Sequence, residues 1–232
     1  MSKFTRRLLR PLQNVWDDWA SARDARELAE LGLLGAEFER NRALAAEQLE
    51  PAYERYVNGV STRDMAVSWE TACLIYALAG VLRPREILDL GSGFSSYVLR
   101  TYATRAEHEC QVTSVDDDRH WLKQTENHLA QHGLPTDRVL HWDEFRHAPT
   151  AGRFDLVFHD LGNMDTRAIA LPTVLQTLTQ TGVLVLDDMH KRHYRQKAER
   201  YVGSQGWRLL SARTQTLDPF GRYSKIALRR RA

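Results

Sequence analysis

The segment Ile87–Ser96 combines an acid with two closely spaced glycines, residue types that suit the binding of a small ligand. It reads Ile-Leu-Asp-Leu-Gly-Ser-Gly-Phe-Ser-Ser, an apolar strand followed by a turn and a helix start. Gly91 and Gly93 let the backbone turn sharply and approach a ligand closely, and the free N–H groups of the following helix can bind it. Ser96 stands where a dinucleotide-binding turn has its third glycine, so the prediction of NAD binding is weak.

A further acid, Asp116, ends the second predicted strand in the run Val-Thr-Ser-Val-Asp. A carboxylate at this strand end can accept both ribose hydroxyls of an adenosine bound across the carboxyl edge of a parallel sheet. Together with Asp89, Gly91 and Gly93, it predicts a ligand site at that edge. Taken alone, Asp89 could brace the turn, and the Asp117–Asp118 pair is expected to cap the next helix.

Three more carboxylates, Asp160, Asp187 and Asp188, follow the fourth and fifth predicted strands. Neighbouring parallel strands would bring them to one edge of the sheet, where three oxygen ligands could hold Mg²⁺ or a similar hard ion. His159 and His190 adjoin these acids, and imidazole titrates near neutral pH, so either histidine could act as a general base. The catalytic candidates are therefore His190, His159 and Asp160, with His190 the preferred base.

After Ser61, strand-like runs alternate with helical segments, the pattern of βαβ units in a parallel sheet. The predicted strands are Glu86–Leu90, Gln111–Val115, Val139–His141, Asp155–Phe158, Val183–Leu186, Trp207–Ser211 and Ser224–Leu228. The predicted helices are Ser68–Leu82, Ser95–Thr104, Arg119–Gln131, Arg167–Thr179 and Lys191–Ser204. No helix is predicted between the last two strands, which Asp218-Pro219-Phe220-Gly221 helps to connect, so we expect an antiparallel hairpin at the sheet edge.

The first 60 residues are predicted to form a helical extension ahead of the domain formed by residues 61–232. Apolar residues recur every three to four positions from Phe4, and Pro11 and Pro51 are expected to divide the segment into several short helices. The first ten residues contain four cations and no acid, which would favour an anionic membrane surface. A solvated charged face or a dimer-packing helix is the commoner outcome for such a segment, and a substrate lid is a further candidate role.

The composition is that of a folded globular protein, with 232 residues, 43% of them hydrophobic. The 32 Lys+Arg and 30 Asp+Glu residues give a formal net charge of +2, which argues against a dedicated nucleic-acid binder. Its two cysteines lie in apolar stretches, so we expect buried thiols and a reducing compartment. Since neither a secretory leader nor a membrane-spanning apolar run is apparent, we expect a cytoplasmic protein.

Over roughly residues 61–229, these acids, the glycine turn and the seven-strand pattern resemble the class I S-adenosylmethionine-dependent methyltransferases. The resemblance implies an α/β, Rossmann-like fold with a seven-stranded, mostly parallel sheet, a C-terminal antiparallel hairpin and helices on both faces. It implies that the turn Asp89–Gly93, with Gly91, Ser92 and Gly93, holds the methionine part of S-adenosylmethionine. It further implies that Asp116 holds the ribose and that Asp143, after the third strand, contacts the adenine.

Within that family, the segment Met65–Glu70 is similar to the lead-in of small-molecule O-methyltransferases of the catechol and caffeoyl-coenzyme A type. This similarity makes Ser68 a candidate cofactor contact. Positions of the catechol-type enzymes that match Asp160, Asp187 and Asp188 carry Asp, then Asp-Asn, and bind a divalent cation that orients two substrate hydroxyls. The lysine that those enzymes carry a few residues beyond their first metal ligand has no counterpart in residues 161–165.

The predicted function is therefore methyl transfer from S-adenosylmethionine to a small-molecule acceptor, with a hydroxyl oxygen favoured over nitrogen and Mg²⁺ as a second cofactor. A nicotinamide-dependent dehydrogenase is a rival that Ser96 and the terminal hairpin disfavour. A non-enzymatic protein that binds an adenosyl ligand is another, and the strand-end acids with His190 argue against it. The apolar N-terminal face is consistent with a homodimer.

Overall fold

The computed structural model describes residues 19–148 and 150–230. Its first helix, α1, occupies residues 19–30. The elements that follow are α2 (Ala36–Gly59), α3 (Trp69–Leu82), β1 (Glu86–Leu90), α4 (Phe94–Arg105), β2 (Gln111–Asp116), α5 (Arg119–Gln131), β3 (Val139–His141), α6 (Trp142–Phe145), β4 (Phe154–His159), α7 (Met164–Thr177), β5 (Leu178–Leu186), α8 (Arg192–Ser204), β6 (Trp207–Ser211), α9 (Arg213–Thr216) and β7 (Lys225–Arg229).

The strands form a seven-stranded sheet in the order β3-β2-β1-β4-β5-β7-β6. Strands β1 to β5 pair in parallel, and β7 runs antiparallel to both of its neighbours. This arrangement confirms the predicted fold class, including the antiparallel pair at the C-terminal end.

The register of the parallel strands sets which loop residues meet. Leu90 pairs with Val115 and His159, and His159 pairs with Leu186. The residues that directly follow these four positions therefore lie side by side along the carboxyl edge of the sheet. They are Gly91, Asp116, Asp160 and Asp187.

Alternate residues of the central strands enter two separate apolar cores, as the two-residue period of a strand requires. Ile87 and Phe158 belong to the core that α2, α3 and α4 cover, and Leu88 and Val157 belong to the core under α7 and α8. Since both faces are covered, β1 and β4 are buried along nearly their whole length.

Helix α2 corrects one expectation, because Pro51 lies inside it without ending it. The residue lacks a backbone N–H and is exposed, whereas Leu49 before it and Tyr53 and Tyr56 after it are buried in one core. We attribute the continuity of the helix to this packing on both sides of the proline. The break between helices falls instead at 31–35, where Gly32 has a φ of +80°.

The expectations for Pro11, for the apolar face that starts at Phe4 and for the basic first ten residues lie outside the described residues. Helices α1 and α2 contribute Leu28 and Phe38, both fully buried, to the same core as Ile87 of β1. The domain boundary at residue 60 stays a prediction.

Three connections differ from the expectation, and the first is the short helix α6 between β3 and β4, where no helix was predicted. A single turn of helix, α9, stands between β6 and β7, where none was predicted. Helix α7 begins at Met164 rather than at Arg167, because the side-chain oxygen of Asn163 accepts hydrogen bonds from the N–H groups of Asp165 and Thr166 at 2.9 and 3.0 Å. This earlier start puts Arg167 in the first turn of the helix, close to the sheet edge.

Among the described residues, none of the helices has the length and apolar character needed to cross a membrane. Cys73 and Cys110 are both unpaired, the first buried and the second half-buried. Burial raises the pKa of each thiol to about 12, so both stay protonated at neutral pH.

Candidate functional site

The turn after β1 uses glycine where its backbone approaches other groups closely. Gly91 has a φ of +93°, and a Cβ at this position would overlap the backbone carbonyl of Asp160. Gly93 has a φ of +149°, and its Cβ would lie 3.1 Å from the hydroxyl of Tyr56. A side chain at either position would strain the turn and fill the space in front of it.

Two serines hold the turn, and one of them, Ser96, stands where a dinucleotide-binding turn has its third glycine. The Ser96 hydroxyl donates to Oδ2 of Asp89 at 2.5 Å and accepts from the Gly93 N–H at 3.3 Å. The Ser95 hydroxyl donates to the carbonyl of Gly91 at 3.2 Å. A third glycine would leave the backbone of the turn flexible, whereas the hydrogen bonds of the two serines hold it in one conformation.

Asp89 lies inside the protein rather than in contact with a ligand space. It is fully buried, and its Oδ2 also accepts from the Ser114 hydroxyl at 2.9 Å. Burial raises the pKa of this carboxyl above its ordinary value, although the hydroxyl of Ser96 opposes the shift. Asp89 therefore braces the turn from inside the protein, which is the alternative role that the sequence allowed for this residue.

Asp116 joins the end of β2 to the glycine turn. Its Oδ2 accepts from the Ser92 N–H at 2.7 Å and from the Ser92 hydroxyl at 3.2 Å, and its Oδ1 accepts from the Asp118 N–H at 3.0 Å. Burial is the main cause that raises the pKa of Asp116 to about 6. Asp118 caps α5 as expected, accepting from the N–H groups of His120 and Trp121.

A cavity of about 350 Å³ opens in front of the turn. Its walls come from α2, the segment before α3, the glycine turn and the residues that follow β2 and β4. The lining residues are Tyr56, Met65, Ala66, Val67, Gly91, Ser92, Gly93, Phe94, Ser95, Asp116, Asp117, Asp118, Trp121, Asp160, Gly162 and Arg167. Gly91, Ser92, Gly93 and Asp116 are thus brought together as predicted.

Tyr56, Trp121 and Arg167 are among the lining residues that were not predicted from the sequence. The Trp121 indole N–H donates to the carbonyl of Ser92 at 2.6 Å, which ties α5 to the turn. The ring of Tyr56 packs on Phe94 with 5.2 Å between ring centroids. Trp121 was signalled by its place three residues after the capping Asp118, whereas Tyr56 and Arg167 reach the cavity only through tertiary folding.

Asp143 and Ser68 do not line this cavity. Helix α6 starts directly after β3, and the Asp143 side chain is 58% exposed and paired with Arg146 at 3.0 Å. Ser68 is buried and caps α3, where its hydroxyl oxygen accepts from the Thr71 N–H at 3.1 Å. The adenine and cofactor contacts predicted for these two residues have no support in this geometry.

Ser68 instead borders a second, smaller cavity of about 200 Å³, which also has Tyr53, Trp69 and Phe220 in its walls. The two cavities are neighbours, since residues 65–67 line the first and Ser68 lines the second. Arg222 fixes the segment between them by donating to the carbonyls of residues 63, 64 and 66 at 2.8, 3.0 and 2.9 Å.

The carboxylates of Asp160 and Asp188 meet at the sheet edge, but a guanidinium lies between them. Nη1 of Arg167 is 2.5 Å from Oδ1 of Asp160 and 2.9 Å from Oδ2 of Asp188. Asp187 accepts from the Ser224 hydroxyl at 2.8 Å. Within 19–148 and 150–230, no group of three His, Cys, Asp or Glu side chains has an arrangement that could hold a metal ion. The predicted ligand set therefore does not fit a divalent ion in this arrangement.

His190 and His159 have different surroundings. Nδ1 of His190 lies 3.4 Å from Oδ1 of Asp188, and the half-buried ring has a pKa lowered mainly by burial. Asp188 itself has a φ of +56°, a strained conformation that is rare outside glycine. His159 is fully buried, and burial lowers its pKa to about 4. Its Nε2–H donates to the carbonyl of Arg167 at 3.0 Å, so His159 supports α7 and does not face a substrate.

Residues 88–189 match the family model described as a methyltransferase domain. Among solved structures, the O-methyltransferase TomG from Streptomyces achromogenes, in complex with S-adenosylmethionine, has a TM-score of 0.61 at 19% identity over 84% of this chain and 99% of its own. The S-adenosylhomocysteine-bound methyltransferase PaMTH1 from Podospora anserina has a TM-score of 0.60 at 17% identity over 83% and 95%.

An O-methyltransferase from Bacillus cereus, in complex with S-adenosylhomocysteine, has a TM-score of 0.54 at 14% identity over 92% of this chain and 99% of its own. None of the curated protein sequences matches the chain significantly. At these identities the structural likeness establishes the shared fold.

The family-model match covers residues 88–189, and the fold of the chain is the Rossmann-like fold that these methyltransferases share.

Proposed function

We propose that the protein transfers a methyl group from S-adenosylmethionine to a hydroxyl oxygen of a small-molecule acceptor. The observation that carries the proposal is the joint exposure of the glycine turn and the Asp116 carboxylate in one cavity. Asp116 supplies a buried acceptor, and Gly91 and Gly93 supply backbone that no side chain obstructs.

The residues present fit this cofactor. The backbone of Gly91–Gly93 would hold the methionine part, and the carboxylate of Asp116 would accept hydrogen bonds from the ribose hydroxyls. The half-buried indole of Trp121 supplies a flat apolar surface beside them. When bound, the cofactor supplies a methyl group already activated on a sulfonium.

The remaining task of the protein is to align the acceptor and remove its proton. Orientation alone can lower such a barrier by roughly 7–11 kcal/mol. We assign the removal of the acceptor proton to His190, whose Nδ1 lies 3.4 Å from Oδ1 of Asp188. Asp160 is paired with Arg167 and is therefore not assigned the part of a free base.

We place the acceptor in the smaller cavity. Its aromatic walls, Tyr53, Trp69 and Phe220, suit a planar molecule, and it adjoins the cofactor cavity. Two charged residues of its lining act on the proposed base, since Arg222 lowers the pKa of His190 and Asp218 raises it. TomG and the Bacillus cereus enzyme are both O-methyltransferases, which supports oxygen rather than nitrogen as the acceptor atom.

The other expectations for the whole protein remain proposals. We propose a cytoplasmic location, which the two unpaired cysteines support. We also propose a small molecule rather than a nucleic acid as the substrate, because the net charge is only +2. A homodimer and a membrane contact through the first residues stay predictions.

Thermal unfolding with S-adenosylmethionine, S-adenosylhomocysteine and NAD in parallel tests the cofactor. The two adenosyl ligands should raise Tm by mass action and NAD should not. Stabilisation by NAD alone would overturn the proposal. Methyl-labelled S-adenosylmethionine, incubated with the protein and a panel of phenols, catechols and matched anilines, tests the reaction. Label recovered only in the anilines would assign nitrogen as the acceptor atom. Binding of S-adenosylmethionine without methylation of any compound in the panel would favour a non-enzymatic ligand-binding protein.

A further inference from the structure

The acidic cluster that follows β4 and β5 contains a positively charged side chain, that of Arg167. Asp160, Asp187 and Asp188 are acidic side chains at one sheet edge, and Arg167 reaches them from α7. We infer that Arg167 takes the place of the divalent ion that catechol-type enzymes hold here, so that methyl transfer by this protein requires no metal. The part that concerns methyl transfer rests on the proposed function.

The position of Arg167 is fixed at both ends of the residue. Its Nε–H donates to the carbonyl of Gly162 at 3.3 Å, and Nη1 donates to Oδ2 of Asp188 at 2.9 Å. Its own carbonyl accepts from Nε2 of His159 at 3.0 Å. The side chain is only 7% exposed. Such a guanidinium is part of the folded interior and not a mobile surface charge.

The guanidinium excludes an ion for geometric reasons. Mg²⁺ or Ca²⁺ lies roughly 2.0–2.6 Å from its ligand oxygens. Nη1 of Arg167 already contacts an oxygen of Asp160 and an oxygen of Asp188, so an ion bound between the same two oxygens would occupy its space. The ion would also have to displace a buried positive charge from its two partners, which is costly.

Arg167 has a second effect through Asp188. It holds Oδ2 of this carboxylate, and the other oxygen, Oδ1, lies 3.4 Å from Nδ1 of His190. Arg167 is therefore a positioning residue for the proposed base as well as the counter-ion of the cluster. A series of contacts, from Arg167 to Asp188 and from Asp188 to His190, connects a wall of the cofactor cavity to the place where the acceptor would lose its proton.

Binding of Mn²⁺, followed by electron paramagnetic resonance and calorimetry, tests the inference without any activity measurement. The wild type should bind no Mn²⁺ at the cluster, so that Asp160→Asn changes nothing in the titration. In Arg167→Ala the freed carboxylates should bind Mn²⁺ with an affinity at least about tenfold above the weakest that the titration of the wild type could have detected. Arg167→Lys, which keeps the charge, should stay close to the wild type, and adding Asp160→Asn to Arg167→Ala should abolish the new binding.

Two results would overturn the inference: wild-type Mn²⁺ binding that Asp160→Asn removes, or a folded Arg167→Ala protein that gains no binding. The thermal shift with S-adenosylhomocysteine reports whether each variant is folded. If Arg167→Ala does not fold, the comparison of the wild type with Asp160→Asn still decides. Methyl transfer that persists in full after exhaustive chelation supports the inference, and loss of transfer that Mg²⁺ restores contradicts it. Failure of the proposed function would instead appear as no transfer with or without metal, while the Mn²⁺ titrations would still give their answer.

Discussion

The carboxylate of Asp116 accepts a hydrogen bond from the backbone N–H of Ser92 at 2.7 Å, so the end of β2 and the glycine turn after β1 form one unit. The Ser92 hydroxyl donates to the same carboxylate oxygen at 3.2 Å. A change at either residue should therefore disturb both the proposed ribose contact and the loop beside it.

Asp116→Asn should weaken S-adenosylhomocysteine binding by roughly 10- to 100-fold, since hydrogen bonds to a charged acceptor are among the stronger ones. Isothermal titration calorimetry measures the change. Asp143→Asn is the matched control, because Asp143 also follows a strand but is 58% exposed and outside the cavity. Equal losses in the two variants would contradict the assignment of the ribose site to Asp116.

Affinity for S-adenosylhomocysteine should fall as the pH drops through about 6, the pKa to which burial raises Asp116. Below this pH the carboxyl is protonated and accepts fewer ribose hydrogen bonds. Asp117 contributes to the raised pKa of Asp116, and Asp160, whose pKa burial also raises, lines the same cavity. The comparison with Asp116→Asn therefore isolates the part of the pH dependence that Asp116 causes. Asp116→Asn should flatten the dependence, and an unchanged slope in that variant would refute this origin.

Stability should follow the opposite trend, which separates folding from binding. Because the folded-state pKa of Asp116 lies above its ordinary value of 3.8, the folded protein binds this proton more tightly than the unfolded chain does. The contribution of this group to stability therefore decreases as the pH rises from about 4 to about 6. Chemical denaturation of the wild type and of Asp116→Asn across that range measures the difference.

Ser96→Ala should destabilise the protein by about 1–3 kcal/mol, because it removes one of the hydroxyls that satisfy the buried carboxyl of Asp89. Urea unfolding measures the loss. Ser204→Ala is the control, since the Ser204 hydroxyl donates to a backbone carbonyl, that of Tyr201, away from Asp89. A larger loss in the control than in Ser96→Ala would show that Asp89 does not depend on this contact.

His190→Gln should lower kcat by roughly 10²- to 10⁴-fold if the ring removes the acceptor proton. The Kd for S-adenosylhomocysteine should stay unchanged, because His190 does not line the cofactor cavity. His193→Gln provides a control on the exposed start of α8. A normal kcat in His190→Gln would mean that the proton leaves by another route.

The sheet could be predicted from the sequence because its central strands are short apolar runs bounded by Gly, Asp and charged residues. The start of β5 at Leu178 could not, since residues 179–181 are polar and Gly182 follows them. The register that aligns Gly91, Asp116 and Asp160 follows from the parallel order, and the acids at the edge were correctly grouped.

The partners of these acids were not predictable in the same way. Arg167 was assigned as the first residue of a helix, and only the capping by Asn163 turns it toward Asp160 and Asp188. Tyr56 lies in α2, far along the chain from the turn that it contacts. Local patterns indicate which residues end a strand, whereas such contacts depend on how distant helices pack.

The contact between α2 and the glycine turn links ligand occupancy to the attachment of the N-terminal region. Tyr53 and Tyr56 pack on Phe94, the first residue of α4, with 5.1 and 5.2 Å between ring centroids. Coupling between two binding events is reciprocal, so a bound ligand stabilises the docking of α2 by the same free energy that α2 adds to ligand affinity. Protease cleavage within residues 31–35 should therefore slow when the cavity is filled, and a shortened chain that begins at Ser61 would lose one wall of its own cofactor chamber.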